Sequence, residues 1–232
     1  MFKRLFGQRD AEPVSQLAVV RNITVGRTVA LDPLAWRRLG EETHFSLDRD
    51  ALEITLATLQ GVSAFHTLGV GSVASRAFER AYRLLADAPE HPLRGRLLHG
   101  FGYLLNLRGD YAMALAVAER AEVLSHDAND SALLLVAYIL RGEVHHLQGR
   151  TQAALSWYER ALAIVGPLQI GSNEIFATDP EVTLLGMLAI ELVRSGRVEL
   201  GRMHLQRAQA RAQMLRQPMT SLVGVWQEVL IE

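Results

Sequence analysis

Four glycines set the frame of this chain. Gly69, Gly109, Gly149 and Gly196 are spaced by 40, 40 and 47 residues, and the residues C-terminal to each keep one phase. Five positions on stand Ala74, Ala114, Ala154 and Gly201; nine positions on, Phe78, Ala118, Tyr158 and Leu205; twelve positions on, Ala81, Ala121, Ala161 and Ala208. A fixed period of this length marks stacked supersecondary units and constrains the fold before any single element is assigned. Around each glycine the sequence is rich in Ala and Leu, with apolar residues three and four apart, the period of amphipathic helices. Each unit therefore reads as a helix, a glycine turn and a second helix whose small residues let the first lie close against it. Such a hairpin cannot bury its apolar face alone, and stacked neighbours complete it. The expected fold is all-α, an α-solenoid of about four helix pairs preceded by a short segment of β character.

The residues that carry this phase resemble the tetratricopeptide repeat. In GFGYLLNLRGDYAMALAVAERA, Gly102, Gly109, Tyr111, Ala114 and Ala121 match, and Ala118 replaces the usual second aromatic. In RGEVHHLQGRTQAALSWYERALAIVGP the matches are Gly142, Gly149, Ala154, Tyr158, Ala161 and Pro167, the proline one place late. The outer units depart further: Val62 stands at the small-residue position of unit one, and unit four keeps Ala189 but has Gly201 for an alanine. The units fall near 55–88, 95–128, 135–168 and 182–215, with a capping helix near 218–231. The longer spacing is similar to the C-terminal helical repeats of large bacterial signalling ATPases, with LQGVSAFHTLGVG and DPEVTLLGMLAIEL among the shared stretches. That resemblance spans about residues 52–231 and implies a repeat module of a signalling or transcription-regulating protein. Neither an NTPase nor a cyclase module accompanies it here, so it implies no activity.

Residues 1–50 have another character. VSQLAVVRNITVGRTVAL is rich in Val, Ile and Thr and favours short strands. VRNITVGRTVALDPLAWRRLGEETHFSLDRDALEIT resembles the start of the YjfK-like bacterial proteins of unknown function, which continue into a larger, mostly β domain not seen here. Together the two resemblances imply a fusion or a truncated gene product joined near residues 51–56. An uncharacterised YjfK-like fragment carrying a structural helical tail is the alternative to a helical scaffold.

Charge and composition narrow the chemistry. With 24 basic and 25 acidic residues the formal net charge is −1, which gives no electrostatic case for nucleic acid or an anionic membrane as partner. Lys3 is the sole lysine, and no Walker A loop, which needs a lysine after its glycines, is present. Zero cysteines exclude disulfides, thiol nucleophiles and cysteine-ligated metals. No apolar run approaches the ~18 residues of a membrane span, and MFKRLFGQRD lacks the apolar core of a secretory signal. A soluble, cytoplasmic protein without a cofactor is expected.

Candidate chemical motifs fare poorly. Gly69-Val-Gly71-Ser-Val-Ala74 satisfies a dinucleotide fingerprint, but the preceding ATLQGVSAFHTL reads as helix and not as the buried strand such a site needs. Glu143, His145 and His146 form the densest metal-like cluster, yet adjacent histidines on a helix point about 100° apart; His145 is expected inward and His146 toward the groove. No GxSxG motif or triad spacing appears, and the helical carboxylates alternate with arginines as on solvated faces. An enzyme is not expected. GPLQIGSNEIFATDP, residues 166–180, is the one long linker among the repeats; Asp179-Pro180 reads as a helix start, and Ile170, Ile175 and Phe176 are apolar enough to pack back on the solenoid.

The tetratricopeptide resemblance implies that the first helices line a concave groove in which partners dock. Counted back from each turn glycine, its groove phases fall on Leu59, Ser63, His66 and Thr67; on Arg96, His99, Tyr103, Asn106 and Leu107; on Ile139, Glu143, His146 and Leu147; and on Ile190, Val193 and Arg194. Of these, Arg96, His99, Tyr103, Asn106, Glu143 and His146 form the expected protein-binding patch, since Tyr and Arg supply contact area and directed hydrogen bonds. The groove lacks the repeated Lys and Arg that would clamp a peptide carboxylate. A protein or peptide partner and a monomer or weak homodimer are expected, the latter if the apolar SLVGVWQEVLIE stays exposed.

Overall fold

A computed structural model describes residues 49–165, 175–216 and 220 of the chain, all within the unit Leu47–Glu232. The β-like segment, the YjfK-like start up to residue 48, Ile170 with residues 166–174, and the stretch expected to form the capping helix, apart from Thr220, lie outside the described residues.

The described residues form eight helices: α1 Arg49–Leu68, α2 Ser72–Leu84, α3 Arg94–Leu107, α4 Tyr111–Ala128, α5 Ser131–Leu147, α6 Thr151–Val165, α7 Pro180–Arg194 and α8 Val198–Leu215. They pair as four hairpins around the four periodic glycines. Each of those glycines has positive φ, +74°, +77°, +68° and +81°, and an added Cβ would meet nothing within 4 Å. Backbone handedness, and not space, demands glycine there. In three hairpins the turn glycine and the residue after it bond back alike: Gly109 N–H to Asn106 and Asp110 N–H to Leu105, then Gly149 to His146 and Arg150 to His145, then Gly196 to Val193 and Arg197 to Leu192. These contacts satisfy the otherwise orphaned terminal carbonyls. Asn129 closes α4 in the left-handed region, and Asp130 then caps α5 by accepting from Ala132 and Leu133 N–H at 3.0 and 3.2 Å. The expected start of α7 is present: Asp179 accepts from Val182 N–H at 3.0 Å, with Pro180 in the first turn.

Small residues set the approach of the helices, though not always as the repeat pattern anticipates. A Cβ on Gly142 would run into the ring of Tyr158 in its partner helix, with Cδ1 2.6 Å away. In the second hairpin, where Ala118 occupies the place of that aromatic, Leu140 of α5 fills the space and lies 2.5 Å from a Cβ built on Gly102. In the first hairpin the close approach falls on Gly61 and not on Val62: the Phe78 ring sits between Gly61 and Gly100, 2.8 and 2.9 Å from their hypothetical Cβ atoms. In the fourth the roles exchange, and Gly201 of α8 lies against the Ala189 carbonyl, 2.9 Å from its would-be Cβ.

Sequence neighbours pack along the whole series, and α1 packs on α3, and α3 on α5, while α2, α4 and α6 share no comparable contact. The first helices thus form an inner wall and the second helices an outer layer. One core runs through the stack from Ile54 to Leu192, and a smaller one, Val182, Leu185, Ala208 and Ala212, joins α7 to α8. Each of the large buried side chains, Phe78, Phe101 and Tyr158 among them, contributes about 1.5–3 kcal/mol. Between α5 and α7 the wall is interrupted where the period lengthens to 47.

Candidate functional site on the inner wall

Spacings of three, four and three place Arg96, His99, Tyr103 and Asn106 on one face of α3, and Glu143 and His146 share a face of α5. Arg96, His99, Tyr103 and His146 are half-buried. Asn106 and Glu143 are buried, at 1% and 9% exposure, so they belong to the packed base of the wall and not to its wet surface. His145 is half-buried as well, its Nδ1 enclosed without a partner among the described residues, and burial with the nearby Arg150 and Arg141 holds its pKa down.

At the N-terminal end of the wall the chain covers itself. Phe176, 4% exposed, sets its ring edge-on to His99 with centroids 4.7 Å apart, and Ile175 lies 2.8 Å from a Cβ built on Gly95. Burial pushes the His99 imidazole down to about 4, so it is neutral at physiological pH. His99 stacks on Tyr103 at 6.3 Å with an 8° angle, and Tyr103 meets Phe65 of α1 edge-on at 5.7 Å. Phe176, His99, Tyr103 and Phe65 form an aromatic row across α3 to α1. The packing back expected of Ile175 and Phe176 is observed; what the sequence did not show is that they land on part of the expected binding patch.

The C-terminal end of the wall is polar. Asn106 Nδ2 donates to Glu143 Oε2 at 3.1 Å. Burial raises the Glu143 carboxyl to about 8 against the opposing effect of that bond. The Tyr103 phenol, raised by burial and by Glu143 to about 12, borders the same cluster. So does Tyr158 from α6, which burial and the charges of Glu143, Glu191 and Tyr103 push up against the opposing influence of Arg194. Asn106 Oδ1 and the Tyr158 hydroxyl are enclosed with no hydrogen-bond partner among the described residues.

Beside this cluster a second buried carboxylate is ion-paired through its Oε1. Glu191 of α7, 0% exposed, accepts from Arg194 at 2.9 Å and lies 2.6 Å from His146 Nδ1. Burial alone would raise its pKa, but the bond to His146 and the charges of His146 and Arg194 outweigh it and hold the group ionised. His146 therefore ties α5 to α7 across the interruption in the wall. Sequence reasoning missed Glu191, Tyr158 and the seating of Phe176. A lone carboxylate within the apolar run LLGMLAIELV was the available signal for Glu191, since a charge in such a run needs a partner.

Among the described residues no group of three His, Asp or Glu side chains is arranged to hold a metal ion, and no helix is long and apolar enough to cross a membrane. The Gly69–Ala74 fingerprint comes after α1 and forms the turn into α2.

A sequence family described as a protein of unknown function (DUF2491) matches residues 1–62. The match covers the stretch that resembles the YjfK-like start and ends inside α1. No curated protein and no solved structure matches the chain.

Proposed function

We propose that this chain is a non-catalytic, tetratricopeptide-like scaffold that binds an extended segment of a partner protein along the inner wall of α1, α3 and α5. The observation that carries this reading is the seating of Ile175 and Phe176. A wall that accepts an apolar segment of its own chain against His99 and Gly95 has the shape and chemistry to accept another. The exposed leucines Leu107 and Leu147, 44% and 42% exposed at the ends of α3 and α5, extend the apolar surface beyond the self-covered end.

The test is capture of partners from lysate with the wild-type chain and with a Tyr103→Ala, Glu143→Ala double variant of unchanged helicity. A protein retained by the first and lost by the second is the expected result. An identical set of captured proteins would refute the inner wall as the docking surface. The family match favours a second reading, in which residues 1–62 carry the activity and the helices support them. Removing residues 1–48, which leaves all eight described helices whole, abolishes partner capture under that reading and preserves it under the first.

A further inference from the structure

We propose that Asn106, Glu143 and Tyr158 form a binding site for the guanidinium or ammonium group of a basic side chain on a partner polypeptide. This rests on the reading of the inner wall as a docking surface and names the chemistry of what docks there.

The cluster has a surplus of acceptors. Asn106 Oδ1 and the Tyr158 oxygen, on side chains each 1% exposed, are enclosed and unpartnered among the described residues. The Glu143 carboxylate receives the Asn106 amide at 3.1 Å, and the residue is 9% exposed. Buried acceptors require donors, and a buried carboxylate requires a cation or a proton. The fold meets that requirement for Glu191, which has His146 at 2.6 Å and Arg194 at 2.9 Å. Among the described residues it gives Glu143 only a neutral amide.

A basic side chain supplies what is lacking. A guanidinium carries five N–H donors and a delocalised charge, and an ammonium carries three donors. The Tyr103 ring, half-buried and beside Glu143, borders the site and favours a nearby cation. Leu107 and Leu147, one residue beyond Asn106 and His146, offer apolar surface for the aliphatic stem. An anionic group is disfavoured there by Glu191, which already lies against His146 and Arg194. A metal would find a single carboxylate.

Binding and protonation are linked. Burial holds Glu143 near 8, so the free site is largely protonated at neutral pH. A bound cation favours the ionised form and expels the proton, and affinity rises by up to about tenfold per pH unit between pH 6 and 8. The other titratable and charged groups around the cluster are Tyr103 from α3 and Tyr158 from α6, which feel the Glu143 charge, Glu191 and Arg194 of α7, which act on Tyr158, and His146 three residues on from Glu143. Glu143→Gln separates its contribution from theirs.

The test uses the full chain and a random peptide library. Peptides whose binding is lost on Tyr103→Ala are titrated calorimetrically in two forms, with each Arg intact or replaced by the neutral isostere citrulline. The expected result is at least about tenfold weaker binding of one citrulline form, a pH slope with Arg that is absent with citrulline, and loss of both in Glu143→Gln. Tyr158→Phe, which keeps the ring, also reduces the preference for Arg and decides the matter if Glu143→Gln does not fold. Wall-dependent peptides that bind equally well with citrulline, or a slope that survives Glu143→Gln, would overturn the cation site and leave peptide binding standing. If no selected peptide depends on Tyr103, the docking surface falls and the cation site with it.

Discussion

Replacing Gly142 by alanine tests whether the hairpins are set by steric approach or by helix propensity, because the two predict opposite signs. In a helix interior alanine is favoured over glycine by about 1 kcal/mol. At Gly142 the new methyl meets the Tyr158 ring, with Cδ1 2.6 Å and Cζ 3.1 Å away, and that ring, 1% exposed, has no free space to move into. Overpacking of this kind costs about 1–3 kcal/mol, and overlap with several ring atoms at once places it at the upper end. Gly142→Ala is therefore expected to destabilise the fold by about 2 kcal/mol, against the intrinsic preference. Tyr158→Ala alone costs about 3–5 kcal/mol through the cavity it leaves. In that background the clash is gone, only propensity remains, and Gly142→Ala stabilises by about 1 kcal/mol. The assay is urea unfolding of the four proteins of the cycle, with unchanged slopes licensing comparison of midpoints. A coupling energy of about 3 kcal/mol is expected. If Gly142→Ala shifts the midpoint by the same amount and in the same direction in both backgrounds, close approach is not why glycine stands there.

Gly109→Ala probes the opposite case: its φ of +77° is unsuited to alanine but no atom lies within 4 Å, so the loss is confined to about 1–2 kcal/mol of backbone strain, and Gly109→Asn loses less. A loss well beyond that range in urea titrations would mean that the turn is packed and not merely left-handed. Phe176→Ala should uncover His99 and raise its pKa from about 4 toward 6.5, read from imidazole resonances; a value that stays near 4 would show that the helices alone enclose the ring. Glu191 has a folded pKa below its ordinary 4.5, so its stabilisation is complete above that value and is lost as the pH falls through the folded one. The wild type should lose stability more steeply than Glu191→Gln between about pH 5 and pH 3, and parallel curves would contradict the ion pair.

The hairpins were legible because each depends on residues close in sequence. A turn glycine must come within two residues of the end of its helix, and Asp179-Pro180 caps a helix from within its own first turn, so neither requires knowledge of a distant neighbour. What the phase could not fix was which helix each small residue faces. Val62 holds the repeat position, yet Gly61 takes the Phe78 ring, because that ring also has to clear Gly100 on α3. Gly102 holds its repeat position and meets Leu140 of the next unit instead of its own partner helix, because Ala118 there is too small to reach it. The aromatic and the small residue are exchanged between units to keep the interior filled, and a single-unit pattern does not record such exchanges.

The same distinction governs the candidate site. Helical spacing put Tyr103, Asn106, Glu143 and His146 on the inner wall, but the surroundings of the two buried carboxyls come from contacts 37 and 45 residues apart: Asn106 with Glu143, and His146 with Glu191. Two buried carboxyls on the first helices of adjacent units behave oppositely: the partners of Glu191 lower its pKa in spite of burial, and burial raises that of Glu143 in spite of its amide partner. For Glu143 the sign is fixed by the raised pKa. Between 4.5 and about 8 the unfolded chain has released a proton that the folded chain retains, so this group lowers stability by up to ~1.4 kcal/mol per pH unit as the pH rises. A basic side chain bound at the cluster returns Glu143 to its ionised form and removes that loss. Alkaline stability and affinity for a cationic partner are then two readings of one buried carboxyl, and the partner should protect the fold more strongly at pH 8 than at pH 6.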